Sequence, residues 1–327
     1  MTNPFPPLPQ LRLGTDGPLI GAQGLGCMGM SEFYGATDKA QARATLELAI
    51  ERGVTLFDTA DIYGLGENER FLAPFARAHR DRALIATKFG YARTADRPDD
   101  WSLDNRAAFI RTAVENSLRR LDVEVIDLYY MHRRDPAVPL AESVGAMARL
   151  VEEGKVRWLG LCAVSAGELE AAHAIHPIAA LQSEWSVFTR DIEAEIVPAA
   201  ARLGVTLVPY SPLGRGMLTG RSFGAGLEAG DARQHFPRFS ADNLAANARL
   251  VAEIERQADA MGTTPAQLAL AWLHAKAAAL GVKAVPIPGT RKPARLQENL
   301  AALTLNPPRA ALDALEMLAD AVQGIAI

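Results

Sequence analysis

Asp58, Tyr63, Lys88 and His132 are side chains suited to moving a proton, and each stands at or just beyond the downstream end of a short apolar run. A phenol titrates at about pH 10 in water and is a reluctant acid at neutral pH, but an ammonium beside it favours phenolate and eases proton donation. Lys88 can supply that ammonium. A lysine at a half-buried strand end needs a counter-charge to stay protonated, and Asp58 can provide one. His132 adds a hydrogen bond that orients a carbonyl oxygen so that developing negative charge meets preplaced donors. Together the four are equipment for reducing a carbonyl group.

Taken singly they say less. Tyr63 alone also reads as a rim aromatic, Asp58 as a cap for the following turn, and His132, within Tyr130-Met131-His132-Arg133-Arg134-Asp135, as an ordinary rim imidazole. Lys88 is more telling: it is one of six lysines and interrupts an apolar strand end, where burial without a partner is costly.

The four can meet only if the fold gathers strand ends. Near-continuous apolar runs occur at residues 24–28, 54–57, 83–87, 125–131, 156–161, 178–182, 205–209 and 282–287, as expected of parallel strands buried on both faces. Helical segments lie between them at 39–52, 105–121, 140–153, 165–175 and 192–203. Asp38 and Asp104 are placed to cap helix starts, and Gly53, Gly154 and Gly204 to end helices in the left-handed conformation. Ala113, Val114, Ser117, Leu118 and Leu121 share one helix face. A hairpin near 11–20 precedes this pattern, and a helix plus tail at 308–327 follows it. Eight βα units without a Pro/Gly/Ser linker predict a single (β/α)8 TIM barrel over residues 1–327, with its catalytic face at the downstream strand ends. Two connections are long, 90–103 and 211–240. The second carries Gly214, Gly216, Gly220, Gly224, Gly226 and Gly230, a composition suited to a flexible strap over a ligand.

The 327 residues carry a net charge of −4, with no lysine or arginine cluster dense enough for nucleic acid or an anionic membrane. The expected partner is a small molecule. No apolar run is long enough to span a bilayer, and the proline-rich residues 1–10 lack a signal pattern, so the chain reads as soluble and cytoplasmic. Cys27 and Cys162 are far apart and give neither a pairing nor a metal-ligand spacing. No pattern fixes an oligomeric state.

Gly24-Leu25-Gly26-Cys27-Met28-Gly29 matches the glycine fingerprint of doubly wound dinucleotide-binding folds. The next strand ends at Asp58, farther downstream than that fold's ribose-binding acid, and no helix follows Gly29 directly. These glycines read instead as a loop permitting close backbone approach.

The string Phe57-Asp58-Thr59-Ala60-Asp61-Ile62-Tyr63-Gly64, with Lys88 and His132 downstream, resembles the aldo-keto reductase superfamily. Gly160-Leu161-Cys162, Leu181-Gln182-Ser183-Glu184, Pro209 to Gly216, and Pro288-Gly289-Thr290-Arg291 leading to Glu298-Asn299 agree with it, so the resemblance covers residues 11 to 303. It implies a barrel enzyme that binds NADPH across its mouth and reduces an aldehyde or ketone without a metal, with NADH the weaker alternative. The catalytic tetrad maps onto Asp58, Tyr63, Lys88 and His132. Gly26, Cys27, Met28 and Asp58 would approach the cofactor, Tyr210 would stack on the nicotinamide, and Gln182, with Cys162 and Ser165 beside it, would hold the carboxamide. Ser211, Pro212, Leu213, Arg215 and Gly216 would touch the pyrophosphate. Thr290, Arg291 and Arg295 would hold the 2′-phosphate, with Gly289 a neighbouring cofactor contact and Glu298 and Asn299 at the adenosine.

This chain departs from many relatives in having Cys162-Ala163 for a serine and a polar residue, and Gly289 for a lysine. The second change makes Arg291 the expected phosphate anchor. Met30, Tyr34, the 90–103 loop with Trp101, Trp185 and the 211–240 strap would wall an apolar or aromatic substrate pocket. Two other functions fit the same residues: a nicotinamide-binding regulatory or sensor protein with low turnover, and a barrel enzyme in which Lys88 forms a Schiff base.

Overall fold

The computed structural model describes residues 7–220, 227 and 230–325. Its apolar runs form seven parallel strands that pair in chain order: β3 (Leu25–Gly26), β4 (Leu56–Asp58), β5 (Leu84–Phe89), β6 (Ile126–Met131), β7 (Val156–Cys162), β8 (Ile178–Glu184) and β9 (Thr206–Tyr210). Lys88 lies opposite Tyr130, Cys162 opposite Gln182, and Glu184 opposite Tyr210.

The eighth apolar run, 282–287, closes the ring without forming a full strand. Val285 and Ile287 donate to Leu207 O and Pro209 O (2.9 and 3.0 Å), and Pro286 O accepts from Gly24 N (2.9 Å). Pro286 and Pro288 have no N–H to give the β3 side, which leaves its ladder incomplete. Gly24 and Gly26 make that closure possible. A Cβ on either would come within 2.9 Å of Ile287, at Cγ2 and O respectively. The glycine fingerprint therefore serves barrel closure in a (β/α)8 fold.

Alternation along each strand makes two apolar layers. Leu56, Leu84, Leu128, Tyr130, Val208 and Val285 fill the barrel interior, while Phe57, Ile85, Tyr129 and Leu207 face the helices outside. The hairpin of β1 (Gln10–Arg12) and β2 (Leu19–Gly21) plugs the upstream end. Its Leu13 and Ile20 join the interior cluster, and Gly14 N donates to Thr206 Oγ1 at 2.9 Å. The mouth at the opposite end stays open.

The outer ring comprises α1 (Lys39–Glu51), α2 (Glu67–Ala78), α3 (Ala107–Leu121), α4 (Leu140–Glu152), α5 (Ala166–Ile175), α6 (Ile196–Leu203), α7 (Ala241–Ala260), α8 (Pro265–Ala279) and α9 (Pro293–Ala301), followed by α10 (Arg309–Glu316). Asp38 caps α1 as expected, accepting from Ala40 N and Gln41 N. Asp104 does not cap α3. Its carboxylate accepts from Arg106 N in a turn one step earlier, and Arg106 holds the cap position. The expected start of α6 at 192 is instead a separate 3-10 turn, Asp191–Glu193. Helix α10 rests on the side of the barrel, where Glu316 accepts from Trp272 and Lys276 of α8. Among the described residues, no helix is long and apolar enough to cross a membrane.

Candidate active site

The loop after β4 is tied to β5, where Thr59 N donates to Ala86 O and Asp61 N to Lys88 O (2.8 and 3.1 Å), and the residue after β6 is tied to the same strand, where His132 N donates to Phe89 O (2.7 Å). These bonds fix Tyr63 at the head of a 3-10 turn, Tyr63–Gly66, whose next residue is left-handed at Gly64 (φ 56°). Glu32 reaches across from the β3 side to accept from Gly64 N at 2.8 Å.

Lys88 is wholly buried beneath this turn. Its Nζ donates to Asp58 Oδ1 at 2.5 Å and to Thr59 O at 2.7 Å, and lies 3.5 Å from Tyr63 Oη. Gln182 donates from Nε2 to the other carboxylate oxygen of Asp58 at 2.8 Å. The Tyr63 and His132 rings meet edge to face at 5.9 Å, and Tyr91 stands on the far side of His132 at 5.2 Å. The four expected catalytic side chains therefore converge at the barrel mouth.

Burial alone would push the Lys88 amine down, but the carboxylate of Asp58, with Tyr63 and Cys162 acting in the same direction, more than offsets it, so the ammonium is held above its ordinary value. Burial pushes the Asp58 carboxyl up against the pull of Lys88 and Gln182. Tyr63 differs from the expectation of an eased phenol: it is pushed up to about 12, because burial outweighs Lys88 and the charge of Asp58 works in the same direction. Its proton is thus retained at neutral pH, as a donor requires, with the ammonium in place for charge that develops as it leaves. His132 is held well below the usual imidazole range by burial and by the charges of Lys88 and Arg133. It is a neutral hydrogen-bonding group.

Above these residues opens a cavity of about 680 Å³. Gly26, Met28, Asp58, Gln182, Tyr210, Ser211, Pro212, Leu213, Arg215, Gly216, Gly289, Thr290, Arg291, Arg295, Glu298 and Asn299 line it, as do Tyr34 and Trp101. Other expected contacts lie elsewhere. Cys27 and Met30 are buried in the layer facing the helices, and Cys162 lies in the barrel interior. Burial pushes the Cys162 thiol up to about 12, so it stays protonated. Ser165 caps α5 in a reciprocal capping box with Glu168. Trp185 is fully buried and donates to Glu193.

Arg291 is engaged differently from the expected phosphate anchor. Its guanidinium donates to Thr37 Oγ1 (2.7 Å), Tyr34 O (2.8 Å), Gly35 O (3.2 Å) and Gly29 O (3.4 Å), stapling the loop of residues 29–37. Arg295 and Lys292 have no carboxylate partner among the described residues, and both face the cavity. The strap packs on the same loop: Ala232 N donates to Phe33 O at 3.0 Å, and Arg233, paired with Asp231, lies over the Tyr34 ring. Gly224 and Gly226 lie outside the described residues.

The expected wall segments 90–103 and 211–240 contribute Tyr91, Asp231, Arg233 and Phe236 to the cavity, none of them singled out by residue in the sequence, and Phe33 and Arg133 line it unforeseen. For Arg133 a signal existed, since it directly follows His132. For Phe33 and Arg233 the signal is a contact between two distant loops, which a single sequence does not display.

Arg295 and Lys292, without a carboxylate partner among the described residues, follow the eighth stave, and Arg215 follows β9. The phenol, ammonium and imidazole stand across the mouth at β4 to β6. Between them Ser211, Gly214, Arg215 and Gly216 take left-handed φ of 49°, 55°, 55° and 97°, turning the backbone sharply along the cavity wall. This arrangement fits an extended polyanionic cofactor with a flat ring at its reacting end. The aldo/keto reductase family model matches residues 23–319. The chain belongs to that family. It is 43% identical to a probable aldo-keto reductase 1 of Glycine max over 299 residues, 90% of this chain and 84% of the soybean protein. Solved structures with the same fold include a glycerol dehydrogenase of Gluconobacter oxydans (TM-score 0.84, 27% identity, 98% and 97% of the two chains). Another is the holo form of an aldo-keto reductase from Bacillus halodurans (TM-score 0.78, 27% identity, 96% and 97% of the chains). Aldo-keto reductases are oxidoreductases of carbonyl groups that typically bind nicotinamide cofactors, and the cavity has the donors for one.

Proposed function

We propose that this protein is an NADPH-dependent reductase of aldehydes or ketones, with Tyr63 as general acid. The observation that carries the reading is the buried relay from Asp58 through Lys88 Nζ to Tyr63 Oη, set at the floor of the cavity. When bound, NADPH would supply the hydride. Arg295 and Lys292 would hold the 2′-phosphate, Arg215 with the Ser211–Gly216 turn the pyrophosphate, and Glu298 and Asn299 the adenosine. Tyr210 offers a ring face for stacking. Because Gln182 gives an N–H to Asp58, its carbonyl oxygen is the group left to accept from a carboxamide. His132 donates one hydrogen bond to the substrate oxygen, Tyr63 delivers its proton there, and Lys88 steadies the phenolate that remains.

Lys88 is a poor Schiff-base nucleophile, since it is protonated, donates to two acceptors at 2.5 and 2.7 Å, and has no exposed surface. A sensor function makes a different prediction from a reductase. Purified protein should oxidise NADPH repeatedly with a panel of small apolar and aromatic aldehydes, and more efficiently than NADH, as followed by loss of reduced-cofactor absorbance. Binding of NADPH without multiple turnover on any carbonyl would favour the sensor instead.

A further inference from the structure

Arg133 lines the same cavity but has no place in that account. It follows β6 directly after His132, on the opposite side of the mouth from Arg215, Lys292 and Arg295. Among the described residues it pairs with no carboxylate. Among the described residues only Nη1 has an acceptor, the backbone oxygen of the preceding His132 at 2.8 Å. Its neighbour Arg134 shows the contrast, turning outward to an ion pair with Glu168 at 3.0 Å.

A half-buried guanidinium without a counter-charge is costly to keep, and a fork of unoccupied N–H donors is shaped to receive a planar oxyanion. The backbone that aims it is fixed on both sides. His132 N is bonded to Phe89 O at 2.7 Å, and residue 133 packs against Gly90 (φ 138°), where an added Cβ would stand 3.3 Å from Arg133 O. The charge of Arg133 pulls on the phenols of Tyr210 and Tyr91, two rings of the cavity wall, against the burial that pushes both up.

We propose that Arg133 is a specificity residue that binds a carboxylate carried by the substrate, making small oxo acids the preferred carbonyl compounds. The proposal rests on the reductase reading. The carboxylate meets Arg133 while the carbonyl oxygen faces Tyr63 and His132, and the apolar walls of Phe33, Tyr91 and Trp101 take the remainder of the molecule.

The test compares matched pairs: phenylglyoxylate against its methyl ester, and succinic semialdehyde against butanal. Wild-type protein should favour the anion in kcat/KM by about 10- to 100-fold, the range of a charge-assisted contact. Arg133→Met should collapse that ratio toward one, raising KM for the anions, and Arg133→Lys should restore part of it. Calorimetry with mandelate and benzyl alcohol, on protein with and without NADP+, reads the contact without turnover. It should show mandelate binding lost in Arg133→Met and retained in Arg133→Lys, with thermal melts confirming that each variant folds. Reduction of neutral aldehydes with no preference for anions, or an anion preference unchanged in Arg133→Met, overturns the role of Arg133 while leaving the reductase reading intact. Mandelate binding that depends on Arg133 without turnover of any carbonyl supports the anion site and counts against the reductase.

Discussion

Replacing Asp58 by asparagine removes the counter-charge of an ammonium that is fully buried. Breaking one side of a buried ion pair costs about 3–5 kcal/mol, because the remaining charge must be kept without its partner or neutralised. For a chain of this size each kcal/mol moves the melting temperature by ~2 °C, so Asp58→Asn should melt roughly 6–10 °C below wild type. Lys88→Met leaves the converse defect, a buried carboxylate held only by Gln182, and should lose a similar amount. The double variant is the informative one. It carries no buried charge at either position, and methionine approximates the volume of lysine. Its main residual defect is Thr59 O, which loses the donor now 2.7 Å away at a cost of about 1–3 kcal/mol. The double variant should therefore melt well above the sum of the two single losses, while carbonyl turnover stays lost in all three proteins. Thermal melts at neutral pH with a parallel NADPH oxidation assay separate the two effects. Strictly additive losses in the double variant would refute a direct coupling between Asp58 and Lys88.

Tyr63→Phe keeps the ring and its contact with His132, so NADPH should still bind, as read by fluorescence titration, while turnover falls by about 10²-fold or more; unchanged turnover would remove Tyr63 as the acid. Acid stability should reflect two half-buried histidines, His132, held well below the usual range, and His274, pushed down by burial to about 4. Both have folded values below the unfolded value of about 6.5, so their contribution is complete above that pH and is lost as the pH falls through the folded values. His274→Gln should flatten the drop in melting temperature between pH 6.5 and 4, and an unchanged slope would show that its neutrality is not linked to folding. Arg291→Ala should loosen the 29–37 loop and weaken NADPH and NADH alike, whereas Arg295→Ala should weaken NADPH by about 10-fold or more and leave NADH little changed; equal effects of Arg295→Ala on both cofactors would place the 2′-phosphate elsewhere.

The parts of the site that are legible in the sequence depend on strand ends and residue type. Apolar runs locate β4, β5 and β6 to within a few residues, and a parallel barrel gathers the side chains just beyond its strands, so Asp58, Tyr63, Lys88 and His132 converge without any knowledge of the loops. Direction at the end of a strand is less legible. Trp185 and Cys162 each follow or end a strand whose neighbour does line the cavity, and a turn of one residue sends them into the core. The position of Tyr63 is legible, but the balance of its acidity depends on burial, which residue types do not reveal. Arg291 is harder still. Its acceptors are mostly backbone carbonyls 254 to 262 residues away in the chain, and a carbonyl has no identity in a sequence.

Arg133 and Arg134 show where that limit lies. They are chemically identical and adjacent, and nothing in their composition says which one enters the cavity. The deciding atoms belong to the neighbouring strand. Phe89 O takes the His132 amide, and Gly90 leaves space for the backbone of residue 133 to close in, which sets the path of the chain over those residues. The first arginine then points to the reacting end and the second to Glu168 on α5. A side chain larger than glycine at position 90 would press on that backbone in a left-handed conformation, so Gly90→Val should displace His132 and Arg133 together. Carbonyl turnover and the preference for anions should fall in the same variant, whereas Arg133→Met should alter chiefly the preference.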